Sequence, residues 1–201
     1  MVIEFNLIQL GLVGIGAYLL GSVPFGLVMA RLFNLGDLRS IGSGNIGATN
    51  VLRTGHKLAA FLTLVLDAGK GAIAVLVARA LFGDLAAQVA GGAAFLGHCY
   101  PVFIGFKGGK GVATFLGTLL TLAWPAGIAA CATWAIVAAM FRISSLSALI
   151  AAVLSPVFVA ILGYPQTAVV TVILAALIFN RHHANIKRLL SGTEPKIGQK
   201  S

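Results

Sequence analysis

Long apolar stretches run along the chain and alternate with short turns and basic segments. A helix needs about 20 apolar residues to cross the hydrocarbon core of a bilayer, and fewer where the bilayer thins. Pro24 lacks an amide donor and is expected to kink the first stretch. The pattern therefore predicts seven membrane-spanning helices, at residues 5–33, 58–82, 85–103, 112–124, 126–141, 146–162 and 166–179.

The number of spans depends on the fourth and fifth stretches, which are short and could instead form one long helix kinked at Trp124-Pro125. The distribution of basic residues distinguishes the two cases. With seven spans, the basic loop and tail residues other than Arg79 share one side, whereas six spans would place Lys107 and Lys110 opposite the basic tail. Because basic residues concentrate in cytoplasmic loops, we expect seven spans, with the N-terminus outside and the C-terminus in the cytoplasm.

Composition excludes an ordinary soluble domain. Hydrophobic residues occupy 59% of the 201 positions and charged residues 9%, which indicates an all-α polytopic membrane protein. Residues 1–201 are expected to form a single membrane domain. The formal net charge of +9 suits anionic headgroups or phosphorylated substrates. Cys99 and Cys131 lack metal-binding spacing and are interpreted as packing residues.

Three polar segments interrupt the apolar stretches, and all three fall on the predicted cytoplasmic face. The first, residues 42–53, combines glycines with Ser43, Asn45 and Thr49. Glycines let consecutive backbone amides surround an oxyanion, and Arg53 offers a bidentate guanidinium for phosphate. The alternative is a flexible amphipathic loop on the headgroups, but the density of donors favours an anion-binding loop.

The second segment, residues 105–114, contains Lys107, Gly108, Gly109 and Lys110 directly before the fourth span. It is similar to a shortened phosphate-binding loop but lacks the spacing found in nucleotide triphosphatases. Backbone amides at the start of a helix favour an anion, and the two lysines add positive charge. In the alternative interpretation, these lysines only follow the preference for basic residues on the cytoplasmic side.

The third segment, residues 180–188, follows the last span and contains His182 and Asn185. A histidine can bind an oxyanion or transfer a proton near neutral pH, and an asparagine can orient a hydroxyl or a phosphate. His182 and His183 are adjacent, so their side chains diverge on a helix and we expect no metal site. Lys187 and Arg188 are expected to contact lipid headgroups.

Several polar residues belong to the spans themselves. Asp67 and Lys70 are one helical turn apart and are expected to form a structural ion pair, with direct substrate contact as the alternative. His98 either makes a buried hydrogen bond or lines the site. No nucleophile elbow or H-x-x-x-x-D sequence occurs, so no conventional general base is evident. Serines that begin the sixth span are expected to cap the helix or bind substrate; they are Ser144, Ser145 and Ser147.

Together these segments resemble the bacterial acyl-phosphate:glycerol-3-phosphate acyltransferases, integral membrane enzymes of phospholipid synthesis. The resemblance covers nearly the whole chain. The matching positions are 21–22, 24–26, 42–45, 47–50, Arg53, Asp67, 70–71, 97–98, 100–103, 105–114, 181–182 and Asn185. The chain departs from the common pattern at Ile46, where proline is frequent, and at His183, where another polar residue is usual.

The resemblance implies an enzyme that transfers a fatty acyl group from acyl phosphate to the 1-hydroxyl of sn-glycerol 3-phosphate, giving lysophosphatidic acid and phosphate. It implies seven spans, an active site on the cytoplasmic face of the bacterial inner membrane, and no metal or organic cofactor. Apart from the two substrates, membrane lipid is the expected partner. We expect a monomer and no nucleic-acid partner.

The resemblance also implies residue roles. Ser43 and Gly44, with Arg53 and Lys110, would hold the phosphates, while the third segment would hold glycerol phosphate. Acyl phosphate has a good leaving group, so positioning and charge stabilisation can suffice, and a substrate phosphate oxygen can take the hydroxyl proton. The candidate catalytic residues are Lys110, His182 and Arg53. The candidate substrate-binding residues are Ser43, Gly44, Asn45, Thr49, Asn50, His98, Lys107, Gly108, Gly109, Ser147 and Asn185.

A different class of protein fits part of the same pattern. Transporters of small phosphorylated anions also direct the N-termini of broken helices at their ligands. Such a protein would move the anion across the membrane and would release no phosphate from acyl phosphate. The tail beyond Ser191 is predicted to be a loop in either case.

Overall fold

A computed structural model describes residues 6–198, which form α-helices joined by turns, with no strand among them. The all-α class is confirmed, and the predicted start of the first span at residue 5 lies outside the described residues. The helices are α1 (Leu7–Gly21), α2 (Phe25–Leu32), α3 (Ala48–Arg53), α4 (Lys57–Cys99), α5 (Val112–Leu122), α6 (Trp124–Phe141), α7 (Ser144–Ile161), α8 (Ala168–Arg181) and α9 (His183–Leu190). Short 3-10 turns at Leu38–Ser40, Val102–Ile104 and Pro165–Thr167 lie in the connections.

A break divides the first predicted span into α1 and α2. The backbone of Pro24 has φ of −88° and ψ of 75°, which is outside the helical region. The break leaves the Val23 carbonyl without an α-helical partner, and Lys70 of α4 donates to it through Nζ at 3.0 Å. The interruption predicted at Pro24 is confirmed.

Helix α4 reverses direction at Gly83, where φ is 81° and ψ is −170°. A straight helix would place Asp67 and His98 about 46 Å apart. Instead, the Asp67 carboxylate lies 3.5 Å from Nδ1 of His98. The two arms of α4, residues 57–82 and 84–99, therefore lie side by side, as the second and third predicted spans require.

A second reversal separates α5 from α6. Ala123 leaves the helical conformation, with φ of −148° and ψ of 79°. A Cβ on Gly127 would lie 2.5 Å from the Leu120 backbone, so α6 packs directly on α5 and the two do not form one long helix. The predicted end of the fourth span at residue 124 is wrong, because Trp124 begins α6, with Pro125 in the first turn where no amide donor is needed.

The helices pack through small residues and expose large ones. Where α1 meets α4, the buried cluster consists of alanines, including Ala17, Ala86 and Ala90. A Cβ on Gly21 would lie 2.1 Å from the Ala94 carbonyl oxygen, so the two backbones are nearly in contact. Large apolar side chains such as Ile73, 54% exposed, lie on the outer face of the helices. Helices in membranes pack in this way because small residues allow close approach while lipid covers the outer face.

The end of the chain differs from its prediction. The third polar segment forms α9, which bends 63° from α8 and was predicted only as residues following a span. The tail after α9 is a loop, as predicted, but it is held in place. The Ile197 amide donates to the Arg142 carbonyl at 2.6 Å, and Arg142 Nη2 donates to the Ile197 carbonyl at 3.2 Å.

Length and apolar composition qualify four helical stretches as membrane spans, and a fifth if α8 and α9 count as one bent span. The four are Leu7–Leu32, Lys57–Ile104, Trp124–Phe141 and Ser144–Ile161. The shorter apolar helix Val112–Leu122 and the reversal at Gly83 account for the difference from the seven predicted spans.

Two glycines of α4 provide a matched test of this packing. A Cβ at Gly71 would lie 2.6 Å from Thr118 Oγ1 and 2.7 Å from the Thr114 carbonyl, whereas a Cβ at Gly69 would meet nothing within 4 Å. We expect Gly71→Ala to destabilise the fold by about 1–3 kcal/mol through overpacking. Gly69→Ala should be neutral or slightly stabilising. Thermal unfolding in detergent measures both, and equal melting temperatures would contradict the close α4–α5 contact.

Candidate active site

A single cavity of about 570 Å³ connects the polar segments to the helix interior. Its polar end is formed by α3, the starts of α5 and α7, and α9. Its other end lies among side chains at least one turn inside α4, α5 and α6. These apolar lining residues include Phe61, Leu64, Leu116, Leu120 and Trp134.

Asn50 organises the first polar segment. Its Oδ1 accepts hydrogen bonds from the Ser43 amide at 3.2 Å and from Arg53 Nη1 at 3.1 Å, while its Nδ2 donates to the Leu38 carbonyl at 2.8 Å. The side chain is almost fully buried. Arg53 is therefore held by its own segment and faces the cavity. Thr49 joins this segment to α7 through a 3.1 Å contact between its hydroxyl and that of Ser144.

The second segment is fixed between α4 and α8. The Gly109 amide donates to the His98 carbonyl at 3.1 Å, and a Cβ on Gly109 would lie 2.1 Å from His98 Nε2. From the other side, Arg181 donates to the carbonyls of Gly108 and Gly109, each at 3.2 Å. The guanidinium of Arg181 also stacks 5.0 Å from the ring centroid of Tyr100. These contacts hold the two glycines behind the cavity and direct Lys110 into it.

The predicted ion pair within the membrane is present. Asp67 Oδ1 lies 3.0 Å from Lys70 Nζ and 3.5 Å from His98 Nδ1, and all three side chains are buried. The Asp67 carbonyl also accepts a hydrogen bond from Thr114 at 2.8 Å, which joins α4 to α5. Asp67 and His98 reach the cavity lining. His98 thus combines the two predicted options, since it is both buried and part of the lining.

His182 lies just beyond α8, and one of its two ring nitrogens is available to accept a hydrogen bond. Its Nδ1 is 2.8 Å from the Ile178 carbonyl, and because a carbonyl only accepts, Nδ1 carries the hydrogen. Nε2 is then the acceptor. Burial lowers the pKa of His182 to about 4, and the nearby cations Lys110 and Arg181 add to the decrease. The ring is therefore neutral at physiological pH.

Lys110 and Asn185 form the closest contact across the polar end. Lys110 Nζ donates to Asn185 Oδ1 at 2.6 Å, and Asn185 Nδ2 donates to Glu194 Oε1, also at 2.6 Å. Burial lowers the pKa of Lys110 to about 8, while Glu194 acts in the opposite direction. The amine is thus mostly protonated at pH 7. Burial also lowers the pKa of Arg53, which nevertheless stays charged.

The structure gathers most of the predicted residues around the cavity. Those that line it are Ser43, Asn45, Thr49, Asn50, Arg53, His98, Lys110, His182 and Asn185. Others lie elsewhere: Gly44, Lys107, Gly108, Gly109 and Ser147 are not part of the lining.

Two of the predicted residues that lie outside the cavity lining make other contacts. Ser147 is fully buried and donates to the Ile143 carbonyl at 2.9 Å, and no serine side chain caps α7, contrary to expectation. Ser144 and Ser145 line the cavity instead. Lys107 is exposed, and its carbonyl accepts a hydrogen bond from Arg39 at 3.1 Å.

Sequence reasoning missed Glu194. The tail carries this carboxylate into the cavity lining, where it accepts hydrogen bonds from Ser145, Asn185 and Arg188. These partners lower the pKa of the Glu194 carboxyl although partial burial raises it. One signal was available: Glu194 is the sole acidic residue in a tail rich in Lys and Arg.

An apolar helical scaffold with a cavity that is cationic at one end and lined by hydrocarbon at the other is typical of a membrane protein whose ligand is an amphipathic anion. The family model described as glycerol-3-phosphate acyltransferase matches residues 11–192, and the chain belongs to this family. It is 71% identical to the glycerol-3-phosphate acyltransferase of Jannaschia sp. (strain CCS1), over 99% of this chain and 98% of that protein. It is 62% identical to the enzyme of Cereibacter sphaeroides (strain ATCC 17025 / ATH 2.4.3), over 99% and 95%.

Solved structures agree with this assignment. The crystal structure of PlsY (YgiH), an integral membrane glycerol 3-phosphate acyltransferase, in its glycerol 3-phosphate form has a TM-score of 0.89 and 41% identity, covering 94% of this chain and 96% of that one. The lysophosphatidic acid form has a TM-score of 0.86 and 39% identity, with the same coverage. The chain is thus a multi-pass integral membrane protein.

A comparison of substitutions at two lysines can separate specific substrate binding from a general effect of surface charge. Lys110 contacts Asn185 inside the cavity, whereas Lys187 is exposed on α9. If Lys110 binds the substrate anion, Lys110→Ala should lose at least about a hundredfold in kcat/KM, because a buried positive charge is removed from the cavity. Lys187→Ala should stay near wild type. Steady-state kinetics in detergent test this, and equal losses would mean that both lysines act only as surface charge.

Proposed function

We propose that the chain transfers a fatty acyl group from acyl phosphate to the 1-hydroxyl of sn-glycerol 3-phosphate, releasing 1-acyl-sn-glycerol 3-phosphate and phosphate. Family membership and the closely similar enzymes already establish it as a glycerol-3-phosphate acyltransferase. The proposal adds that acyl phosphate is the acyl donor. The observation that carries it is the continuity of the cavity, which joins Arg53 and Lys110 at one end to an apolar interior at the other.

The shape of the cavity fits an acyl phosphate. A fatty chain needs an apolar channel, which Leu64, Leu116 and Leu120 provide on facing helices. A doubly charged phosphate needs cations and donors, which lie at the mouth of the same channel. A bulky nucleotide or protein carrier on the acyl group has no counterpart in this lining, whereas a phosphate matches it in size and charge.

The acceptor binds next to the donor in this proposal. Arg53 and Ser43 hold the phosphate of the acyl donor, and Lys110 lies between the two anions. Asn185 and His182 hold glycerol 3-phosphate, with His182 Nε2 accepting a hydrogen bond from the hydroxyl that does not react, which leaves the hydrogen of the attacking hydroxyl to a phosphate oxygen. Two phosphates in one small cavity require several cations to offset their repulsion, which accounts for the charge gathered here.

The reaction then needs little from the protein beyond positioning. The glycerol oxygen forms a bond to the acyl carbon, the bond from that carbon to the phosphate oxygen breaks, and the hydroxyl proton passes to a phosphate oxygen. Lys110 and Arg53 stabilise the charge that develops on the leaving phosphate. The carboxylates in the lining have other partners, since Asp67 faces Lys70 and Glu194 accepts three hydrogen bonds.

The membrane arrangement is part of the proposal. Counting each arm of α4, α5 and α8 as crossings gives seven spans, with the N-terminus outside and the cavity mouth in the cytoplasm of a bacterial inner membrane. The meeting of all three polar segments at one cavity supports a common side for them. The distribution of basic residues supports the cytoplasmic side. The proposed working unit is a monomer.

The donor is tested directly with purified protein in detergent. We expect release of inorganic phosphate and formation of lysophosphatidic acid when palmitoyl phosphate and glycerol 3-phosphate are both present. Palmitoyl-CoA should not replace palmitoyl phosphate. Absence of product from folded protein would contradict the enzymatic proposal, and flux of glycerol 3-phosphate into liposomes without phosphate release would indicate a transporter. Product formed from palmitoyl-CoA alone would refute only the donor.

The role of His182 is tested by the pH profile. Because the pKa of His182 is lowered to about 4, its titration leaves no transition between pH 5 and 8. We expect His182→Gln to raise KM for glycerol 3-phosphate while the pH dependence of kcat keeps its shape. If this variant binds substrate normally but loses a transition present in wild type, His182 is the general base and the substrate-assisted route is wrong.

A further inference from the structure

The tail after α9 closes one side of the polar end of the cavity. It turns at Gly192, where φ is 70°, and the Thr193 amide donates to the Arg188 carbonyl at 2.9 Å. Ile197 then pairs with Arg142 on the α6–α7 connection. Between these two attachments, the Glu194 side chain points inward and is only 6% exposed.

The Glu194 carboxylate is fully engaged in hydrogen bonds. Oε1 accepts from Ser145 Oγ at 2.7 Å and from Asn185 Nδ2 at 2.6 Å, and Oε2 accepts from Arg188 Nε at 2.7 Å. Charge-assisted bonds of this length are among the strong ones in proteins. The tail therefore joins α7 to α9 through a single side chain.

These contacts define the orientation of the Asn185 amide. A carboxylate only accepts hydrogen bonds and an ammonium only donates, so the amide nitrogen must face Glu194 and the amide oxygen must face Lys110. The Lys110 Nζ is then held 2.6 Å from that oxygen. Without Glu194, the amide would be free to turn over, and it would then present its own donors to the ammonium group.

We propose that Glu194 is a positioning residue for the glycerol 3-phosphate end of the site. It fixes the amide of Asn185 and, through Asn185, the ammonium group of Lys110. The inference rests on the proposed function for the roles of Asn185 and Lys110. It assigns to the tail a part in substrate binding that the sequence pattern did not reveal.

Two other roles for this carboxylate make different predictions. If Glu194 only attached the tail, its loss would lower the melting temperature without a specific kinetic effect. If the carboxylate occupied the position of a substrate phosphate, its loss would tighten anion binding. A positioning role requires weaker binding of glycerol 3-phosphate.

The charges around Lys110 supply an independent measurement. Glu194 raises the pKa of Lys110, and Arg188, Arg53 and Arg181 lower it, while the adjacent His182 is neutral. Loss of Glu194 therefore moves the pKa of Lys110 below about 8. Because the protonated amine binds phosphate, the decline of kcat/KM at high pH should begin at a lower pH in the variant.

The main experiment is a double-mutant cycle on kcat/KM for glycerol 3-phosphate with Glu194→Ala, Asn185→Ala and the pair. Glu194→Ala should lose about tenfold to a hundredfold, mostly through KM. The double variant should be no worse than Asn185→Ala, because Glu194 acts through that residue. Thr193→Ala, an exposed neighbour on the same tail, is the matched control and should behave as wild type.

Calorimetric binding of glycerol 3-phosphate alone separates this inference from the choice of acyl donor. Weaker binding by Glu194→Ala supports positioning even if acyl phosphate is not the donor. Glu194→Gln, which keeps the side-chain shape, should show the same downward shift of the alkaline decline and covers the case where the alanine variant does not fold. Additive losses in the cycle, unchanged binding or tighter binding would each overturn the proposal.

Discussion

A backbone carbonyl released from a helix inside a membrane needs a donor, because hydrocarbon offers none. At two helix ends in this protein a cationic side chain donates to the freed oxygen, and two further cations donate to carbonyls of a connection and of the tail. Several of the basic residues are thus used to stabilise the backbone. At the helix ends the pairs are Lys70 with Val23, and Arg79 with Thr121 and Leu122. In the connection and the tail they are Arg181 with Gly108 and Gly109, and Arg142 with Ile197.

The site uses the cations that remain. Arg53 and Lys110 contact side-chain amides rather than carbonyls, through Asn50 and Asn185 respectively. An amide oxygen holds a cation weakly enough to leave its other donors for a ligand, whereas a direct ion pair would neutralise it. Asparagine at these two positions therefore keeps positive charge both fixed and usable in a cavity that must receive anions.

Much of this arrangement could be predicted from the sequence, and the failures have physical reasons. The break at Pro24 was evident because proline acts locally on the backbone, and the predicted bounds of the second and third spans left a gap at Gly83, where α4 reverses. The pairing of Asp67 with Lys70 follows from helical spacing. Gly109 was predicted to approach the substrate, but the close approach in the structure is to another part of the protein, because a glycine does not indicate what approaches it. Its partner is His98, from another helix.

The contacts of Glu194 and Ser147 could not be predicted, because they depend on how separate parts of the chain pack together. A loop residue gains its role from the surface it meets, and no local pattern records that surface. Ser147 lies between residues that line the cavity but donates a hydrogen bond to the Ile143 carbonyl, while Ser145 donates to Glu194 of the tail. A rotation of about 100° per residue along α7 decides between two serines that look equivalent in the sequence.

The alanine-lined contact between α1 and α4 has a consequence for how such sequences diverge. Ala86 and Ala90 are buried in a tight helix contact, whereas Ile73 and Ile161 are exposed on the outer face, where lipid would cover them. Drift can therefore exchange one bulky apolar residue for another across the outer surface with little effect on the interior. Related enzymes can therefore differ widely in the side chains of their lipid-facing surface and still form the same cavity.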